Sequence, residues 1–242
     1  MPQIQWLPQM STIIKHLLSG TLAVTGRLVD ASNATLYAEC AFNDEKMAVI
    51  YKPIAGERPL WDFPDGNLAH REYAAFLISE YSGWKVVPPT VLREGPFGPG
   101  MVQQWIDIDE SIDLALYYRE ENENLRRMAL FDAVINNTDR KIGHLLPVVD
   151  GTLLGCDHGV TFHEENKLRT VIWQFAEREL ANEEIDTLGD LISRLQAESA
   201  AILQLITEIE FGALIARIER LLETGIFPSP SEDWPAVPWP PF

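Results

Sequence analysis

Apolar and polar positions are arranged differently in the two halves of the chain. Residues 21–29 and 34–42 are rich in β-branched and apolar side chains and are separated by the turn-forming quartet Asp30-Ala31-Ser32-Asn33; a third apolar run occupies 47–52. These segments predict an antiparallel meander. A stretch dense in Pro and Gly at 53–66 follows, after which Leu68, Ala74, Ala75, Leu77, Ile78 and Tyr81 recur at helical spacing and place one helix. Residues 89–92 and 100–106 read as two more strands, flanking the turn Gly95-Pro96-Phe97-Gly98-Pro99. Beyond residue 108 the period changes. Leu125, Met128, Ala129, Asp132 and Ile135 fall on one helical stripe, residues 182–206 and 211–222 give two amphipathic helices with acidic outer faces, and a further helix is expected near Thr170. Between them, 145–149 and 152–156 bracket Asp150-Gly151, a strong hairpin signal. The last fifteen residues hold six prolines and two tryptophans, which rules out helix and leaves either an extended path along the body or a mobile tail. The pattern divides the chain into a sheet-rich part with one helix (1–105), a mainly helical part (106–227) and a Pro/Trp-rich tail (228–242), an α+β chain of two lobes.

Charge narrows the partners. Asp and Glu number 36 against 19 Lys and Arg, a formal charge of -17 in 242 residues, so the field around the molecule repels polyanions and no nucleic acid is expected as a partner. Residues 1–20 lack the charged start and apolar centre of a signal peptide, and no run approaches the roughly 18 apolar residues of a membrane span. No stable membrane insertion is therefore expected. The two cysteines, Cys40 and Cys156, have no metal-type spacing, and a reducing cytoplasm is the expected compartment.

The residues able to carry chemistry are concentrated in the segment Asn136-Asn137-Thr138-Asp139-Arg140-Lys141-Ile142-Gly143-His144 and in Asp157, eighteen residues after Asp139. A tight hairpin between them should return the chain so that Asp139 and Asp157 lie side by side. Two carboxylates beside Lys141 and Arg140 suit one hard cation with a polyphosphate, because Mg²⁺ takes one or two carboxylates and completes its shell with phosphate oxygens and water. Upstream, Lys52 closes an apolar strand and Glu72 follows twenty residues later in the predicted helix, which would fix the ammonium as a point charge. The order of parts (Lys on a sheet, Glu on a helix, then Asp139, His144 and Asp157) is the layout of a kinase-type phosphotransfer site.

Asn137-Thr138-Asp139-Arg140 resembles the catalytic loop of type II phosphatidylinositol 4-kinases and HipA-type kinases, and the segment from Cys156 to Phe162 resembles their metal-binding Asp segment. The wider pattern includes Tyr51-Lys52-Pro53, the run Gly56-Glu57-Arg58-Pro59-Leu60-Trp61-Asp62-Phe63-Pro64, Arg71-Glu72 and Asp157-His158-Gly159. It is similar to a family of small bacterial phosphatidylinositol 3- and 4-kinase-like proteins over nearly the whole chain. The resemblance implies a bilobal protein-kinase-like fold and an ATP-dependent phosphotransferase using Mg²⁺ or Mn²⁺. It implies that Lys52 holds ATP phosphates with Glu72 as partner, that Asp139 orients the acceptor hydroxyl and accepts its proton, and that Asp157 ligates the metal. It also puts adenine near Gln103, Gln104 and Trp105. Ser32 and Asn33, in the first turn, could meet phosphate oxygens, although no glycine fingerprint is present there.

His144 stands where these relatives have asparagine. Three roles remain open for it: ligand of a softer ion such as Mn²⁺, contact to a phosphate or hydroxyl, or structural histidine. His158 is expected to pack and His163 to sit in a turn. Arg126, Arg127, Arg140, Lys141, Lys167 and Arg169 surround this centre in sequence and would form a cationic basin. The short segment between Asp157 and Thr170 and the lack of a polybasic anchor favour a soluble hydroxyl acceptor, a small molecule before a protein. Two alternatives stand beside phosphotransfer. One is a nucleotide-binding pseudokinase or regulatory module; the other is a metal-dependent hydrolase with Asp139, His144, Asp157, His158 and His163 as ligands.

Overall fold

The structure, a computed structural model, describes residues 12–28 and 34–242. Ser32 and Asn33, expected to meet phosphate, lie outside the described residues.

Five strands form one antiparallel sheet: β1 (Thr21–Arg27), β2 (Leu36–Phe42), β3 (Glu45–Pro53), β4 (Thr90–Gly95) and β5 (Gly98–Gln104), in the order β1-β2-β3-β5-β4. The β2–β3 hairpin closes on Asn43 and Asp44, both at positive φ (50° and 64°), the pair of left-handed residues a tight hairpin requires and that Asn and Asp tolerate best. Helix α1 (Thr12–Ser19) precedes the sheet and packs Ile14 and Leu17 into the core; its His16 Nε2 lies 2.8 Å from the Cys40 carbonyl oxygen. Sequence pattern did not anticipate this helix, since two turns carry too few apolar positions to establish a period. Helix α2 (Leu68–Tyr81) crosses from β3 to β4 and is capped by Asn67, whose side chain accepts from the His70 amide. It is buried on nearly every side, so Arg71 and Glu72 are inside the protein and must be paired there.

The helical part is built on α4 (Glu123–Ile135), preceded by the single turn α3 (Leu114–Tyr117). Leu125, Met128, Phe131 and Ile135 of α4 are fully buried in the core. The helix stops at Asn136, which adopts φ 51° and so turns the chain sharply into the segment that carries Asp139. Strands β6 (Leu145–Pro147) and β7 (Leu153–Gly155) form the expected hairpin, followed by α5 (Asn182–Ala197), α6 (Ser199–Ile202) and α7 (Glu208–Thr224), the last ended by Gly225 at φ 65°. The single helix expected over 182–206 is therefore two pieces, broken at Glu198. The helix expected near Thr170 is replaced by one 3₁₀ turn, Trp173–Phe175, preceded by a bridge between Arg140 and Thr170. Residues 228–242 form neither helix nor strand. No helix among the described residues is long and apolar enough to cross a membrane.

Candidate active site

Strand β3 carries Lys52 to the inner end of the sheet, and α2 brings Glu72 against it. Lys52 Nζ is 2.5 Å from Glu72 Oε1 and 2.9 Å from Asp157 Oδ1, so one ammonium ties the sheet, the helix and the segment after β7 together. The second Glu72 oxygen accepts from the His158 amide at 2.9 Å, which fixes the chain immediately after Asp157. Burial would pull the Lys52 ammonium toward neutrality, but Asp157 and Glu72 outweigh it and hold its pKa above the ordinary lysine value. The same ammonium, against the effect of burial, holds the Asp157 carboxyl well below the usual carboxylate range. Asp157 sits at φ 60°, a left-handed conformation that turns its carboxylate into the cleft. Half of its side chain remains open to solvent.

Facing this pair, Asp139 is set by its neighbours rather than by a partner on its own carboxylate alone. Its backbone amide donates to Asn137 Oδ1 (3.0 Å), and Asn137 Nδ2 donates to the fully buried Asp132 (2.9 Å). Thr138 is anchored through its amide and hydroxyl to the Val160 carbonyl. Asp139 Oδ2 meets Lys141 Nζ at 3.2 Å. Burial raises its pKa from the ordinary aspartate value, with Lys141 opposing.

His144 Nε2 lies 3.4 Å from Asp157 Oδ2. Burial, with cations nearby, pushes its imidazole down to about 4, so it is neutral at pH 7. One ligand atom from each of Asp139, His144 and Asp157 falls within 4.8 Å of the others, the one such group of three among the described residues. Two carboxylates and a neutral imidazole fit a divalent cation with some affinity for nitrogen, such as Mn²⁺.

Arg140 is not part of a cationic basin. It is fully buried and doubly paired with Asp132 (Nε–Oδ2 2.9 Å, Nη2–Oδ1 2.8 Å), donates to the Cys156 carbonyl, and touches His158 Nε2 at 2.7 Å. Arg126 is likewise neutralised by Glu184, and Lys167 by Glu165. Of the expected six, Lys141 and Arg169 lie near Asp139, and Arg127 is exposed on α4. His158 is buried, as expected for a packing residue, and His163 Nδ1 accepts from the Glu165 amide two residues on. Neither joins the three-residue ligand group, so the hydrolase alternative loses two of its five ligands.

The structure places Gln104, half-buried, at the end of β5 and Trp105, exposed, immediately after it. Gln103 instead turns its amide into the sheet-rich part, where it donates to Thr90 Oγ1 at 2.9 Å. Two residues without an assigned role prove central. Glu57 accepts from the amides of Leu68 and Ala69 (2.8 Å each) and lines the cleft with Thr35, Lys52, Glu72, Asp157 and Gly159. Asp132 holds the underside of the Asp139 segment. Glu57 lies within the quoted Gly56–Pro64 pattern; Asp132 is hidden among helix positions, and no sequence signal separates it from a surface aspartate.

Protein Rv2133c of Mycobacterium tuberculosis (strain ATCC 25618 / H37Rv) is 38% identical over 262 aligned positions, which cover 93% of this chain and 94% of the relative. This chain belongs to the family of Protein Rv2133c. No family model matches the chain. Among solved structures, the Golgi casein kinase with Mn/ADP bound superposes with a TM-score of 0.59 at 13% identity, covering 87% of this chain and 74% of that one. Hydra Fam20 with sugar gives 0.57 at 13% identity, covering 88% and 87%. The Helicobacter pylori proinflammatory kinase CtkA gives 0.51 at 12% identity, covering 87% and 94%. These superpositions give this chain a bilobal, kinase-like α+β fold.

Proposed function

We propose that the protein is an ATP- and divalent-metal-dependent phosphotransferase acting on a soluble hydroxyl acceptor, with a boundary between its lobes at residues 105 and 106 and affinity to the phosphatidylinositol 3-/4-kinase-like group. The observation that carries this reading is the Lys52–Glu72–Asp157 ion triad, with Asp139 and His144 converging on the same Asp157. The Mn/ADP found with the Golgi casein kinase supports the choice of nucleotide and metal.

Lys52 holds phosphate oxygens as a fixed positive charge and exchanges Asp157 for them when nucleotide enters. Glu72 keeps the ammonium aimed. Asp157, with His144 and Asp139, would hold a divalent cation, which neutralises charge on the transferring phosphoryl group when bound. Asp139 orients the acceptor hydroxyl; its backbone is fixed by Asn137, so its contribution is mainly positional. Gln104 and Trp105 stand where adenine would lie. The net negative charge, which repels an anionic bilayer, favours a soluble acceptor over a lipid.

The test is transfer of label from γ-labelled ATP to a metabolite extract in Mg²⁺ or Mn²⁺. Labelled product from the wild-type protein, lost in Lys52→Met and Asp139→Asn variants that remain folded, is the expected result. Equal labelling by both variants would remove the proposal. A second reading, a nucleotide-binding module without transfer, draws on His144 in place of asparagine; tight ATP binding with no transfer in either metal would favour it.

A further inference from the structure

The tail that the sequence left as extended or mobile runs back along the catalytic segment. Its Pro241 carbonyl accepts from the Ile142 amide (2.9 Å), the first N–H of the 3₁₀ turn Ile142–His144. A Cβ placed on Gly143 would lie 3.9 Å from the Phe242 ring, so that ring is in ordinary contact range of the turn. Five residues before Pro241, the Ala236 carbonyl accepts both the Thr170 amide (3.0 Å) and the Trp173 indole N–H (2.8 Å). Thr170 is in turn bridged to Arg140. Two residues before Ala236, the centre of the Trp234 ring lies 4.3 Å from Lys167 Nζ. The tail therefore touches the segment carrying Asp139 and His144 from one side and the segment after Asp157 from the other. Proline at six of its positions limits its freedom before it docks, so it behaves as a stiff strap.

We propose that residues 234–242 are a positioning element: the Pro241 carbonyl holds the 3₁₀ turn Ile142–His144, the Ala236 carbonyl holds Thr170 and through it Arg140, and together they set His144 and Asp139 at the spacing from Asp157 that transfer needs. This rests on the phosphotransfer reading above. None of the hydrogen bonds of Lys52 or Glu72 involves the tail, so the strap leaves capture of the nucleotide by Lys52 alone and acts through Asp139 and His144 on the rate of transfer.

Two variants test it: a chain ending at Trp239, which lacks the Pro241 carbonyl and the Phe242 ring, and Trp173→Phe in the full chain, which removes one donor to Ala236. Turnover is read as phosphate release from ATP with Mn²⁺, and the Ile142 and Thr170 amides are followed by hydrogen exchange. At saturating Mn²⁺ and ATP the shortened chain should lose about 10- to 100-fold in kcat, since misplacing a reacting group by about 1 Å costs up to roughly 10²-fold, while nucleotide affinity measured without metal changes less than about twofold. Trp173→Phe should lose kcat in the same sense, to a smaller degree. Ile142 should exchange faster in the shortened chain than in the full one. Unchanged kcat in the shortened chain, or a rise in KM with kcat preserved, overturns the proposal. Should the full chain neither bind nor turn over ATP, the functional reading fails, and exchange still decides the strap: equal Ile142 exchange in both chains overturns it.

Discussion

Replacing Arg140 with Met tests whether the segment bearing Asp139 is built on a buried charge pair. Arg140 and Asp132 are both without solvent exposure, and the guanidinium meets both carboxylate oxygens, at 2.9 and 2.8 Å. Removing one partner leaves Asp132 charged in a site water cannot reach, with only Asn137 Nδ2 still donating to it. Such a loss typically costs about 3–5 kcal/mol. In a chain of this size each kcal/mol moves Tm by about 2–4 °C, so a drop of roughly 6–20 °C is expected. The magnitude can be separated from lost packing with a second substitution. Asp132→Asn keeps an oxygen for Asn137 but removes the charge, so the double variant should recover much of the loss, with a coupling energy of at least about 1.5 kcal/mol. Urea unfolding at pH 7, followed by far-UV circular dichroism, measures both. A single-variant loss below about 1 kcal/mol, or strictly additive effects, would refute the reasoning that the pair supports the segment bearing Asp139.

Acid should weaken the fold through His144. Its folded pKa, about 4, lies below the unfolded value of 6.5, so between those limits the unfolded chain binds more protons and stability falls as pH falls. The buried His158, also held well below its ordinary value, acts in the same sense. His144→Asn should flatten the part of the decline from pH 6.5 to about 4 that His144 contributes, as read from urea midpoints at pH 7 and 5; an unaltered slope would contradict the assignment. Glu57→Ala removes the acceptor for two amides at the start of α2 and should cost about 1–2 kcal/mol, the upper range for a lost helix cap, with weaker ATP binding because α2 carries Glu72. Burial pushes the Cys156 thiol up to about 12, so a thiol reagent at pH 8 should leave Cys156 unmodified in the native protein and label it after unfolding.

The fold was legible where one period ran long enough to be read. Strands β1 to β3, α2, α4 and the β6–β7 hairpin all lie where apolar spacing and turn residues put them. Helix α1 was too short to show its period. The helix expected over 182–206 broke at Glu198, where the stripe alone gives no sign of the stop. At the site, the hairpin arithmetic brought Asp139, His144 and Asp157 together, and the order of parts placed Lys52 against Glu72. What sequence could not give was the allocation of charge. Arg140 reads the same on paper whether it faces solvent or a buried Asp132, and only tertiary contacts tell these apart. The tail was illegible for the same reason: its hydrogen bonds come from backbone carbonyls, which leave no residue-type signature.

The central claim, that a triphosphate with its counterion sits between Lys52 and the Asp139–Asp157 pair, is tested most directly by calorimetric titration of a non-hydrolysable ATP analogue. The titration is run with and without Mn²⁺, against wild type, Lys52→Met and Asp157→Asn. Metal-enhanced binding by the wild type is expected, with affinity lowered by at least about tenfold (1.4 kcal/mol) in Lys52→Met and the Mn²⁺ enhancement lost in Asp157→Asn. Binding of equal strength and equal metal dependence in all three proteins would contradict the account.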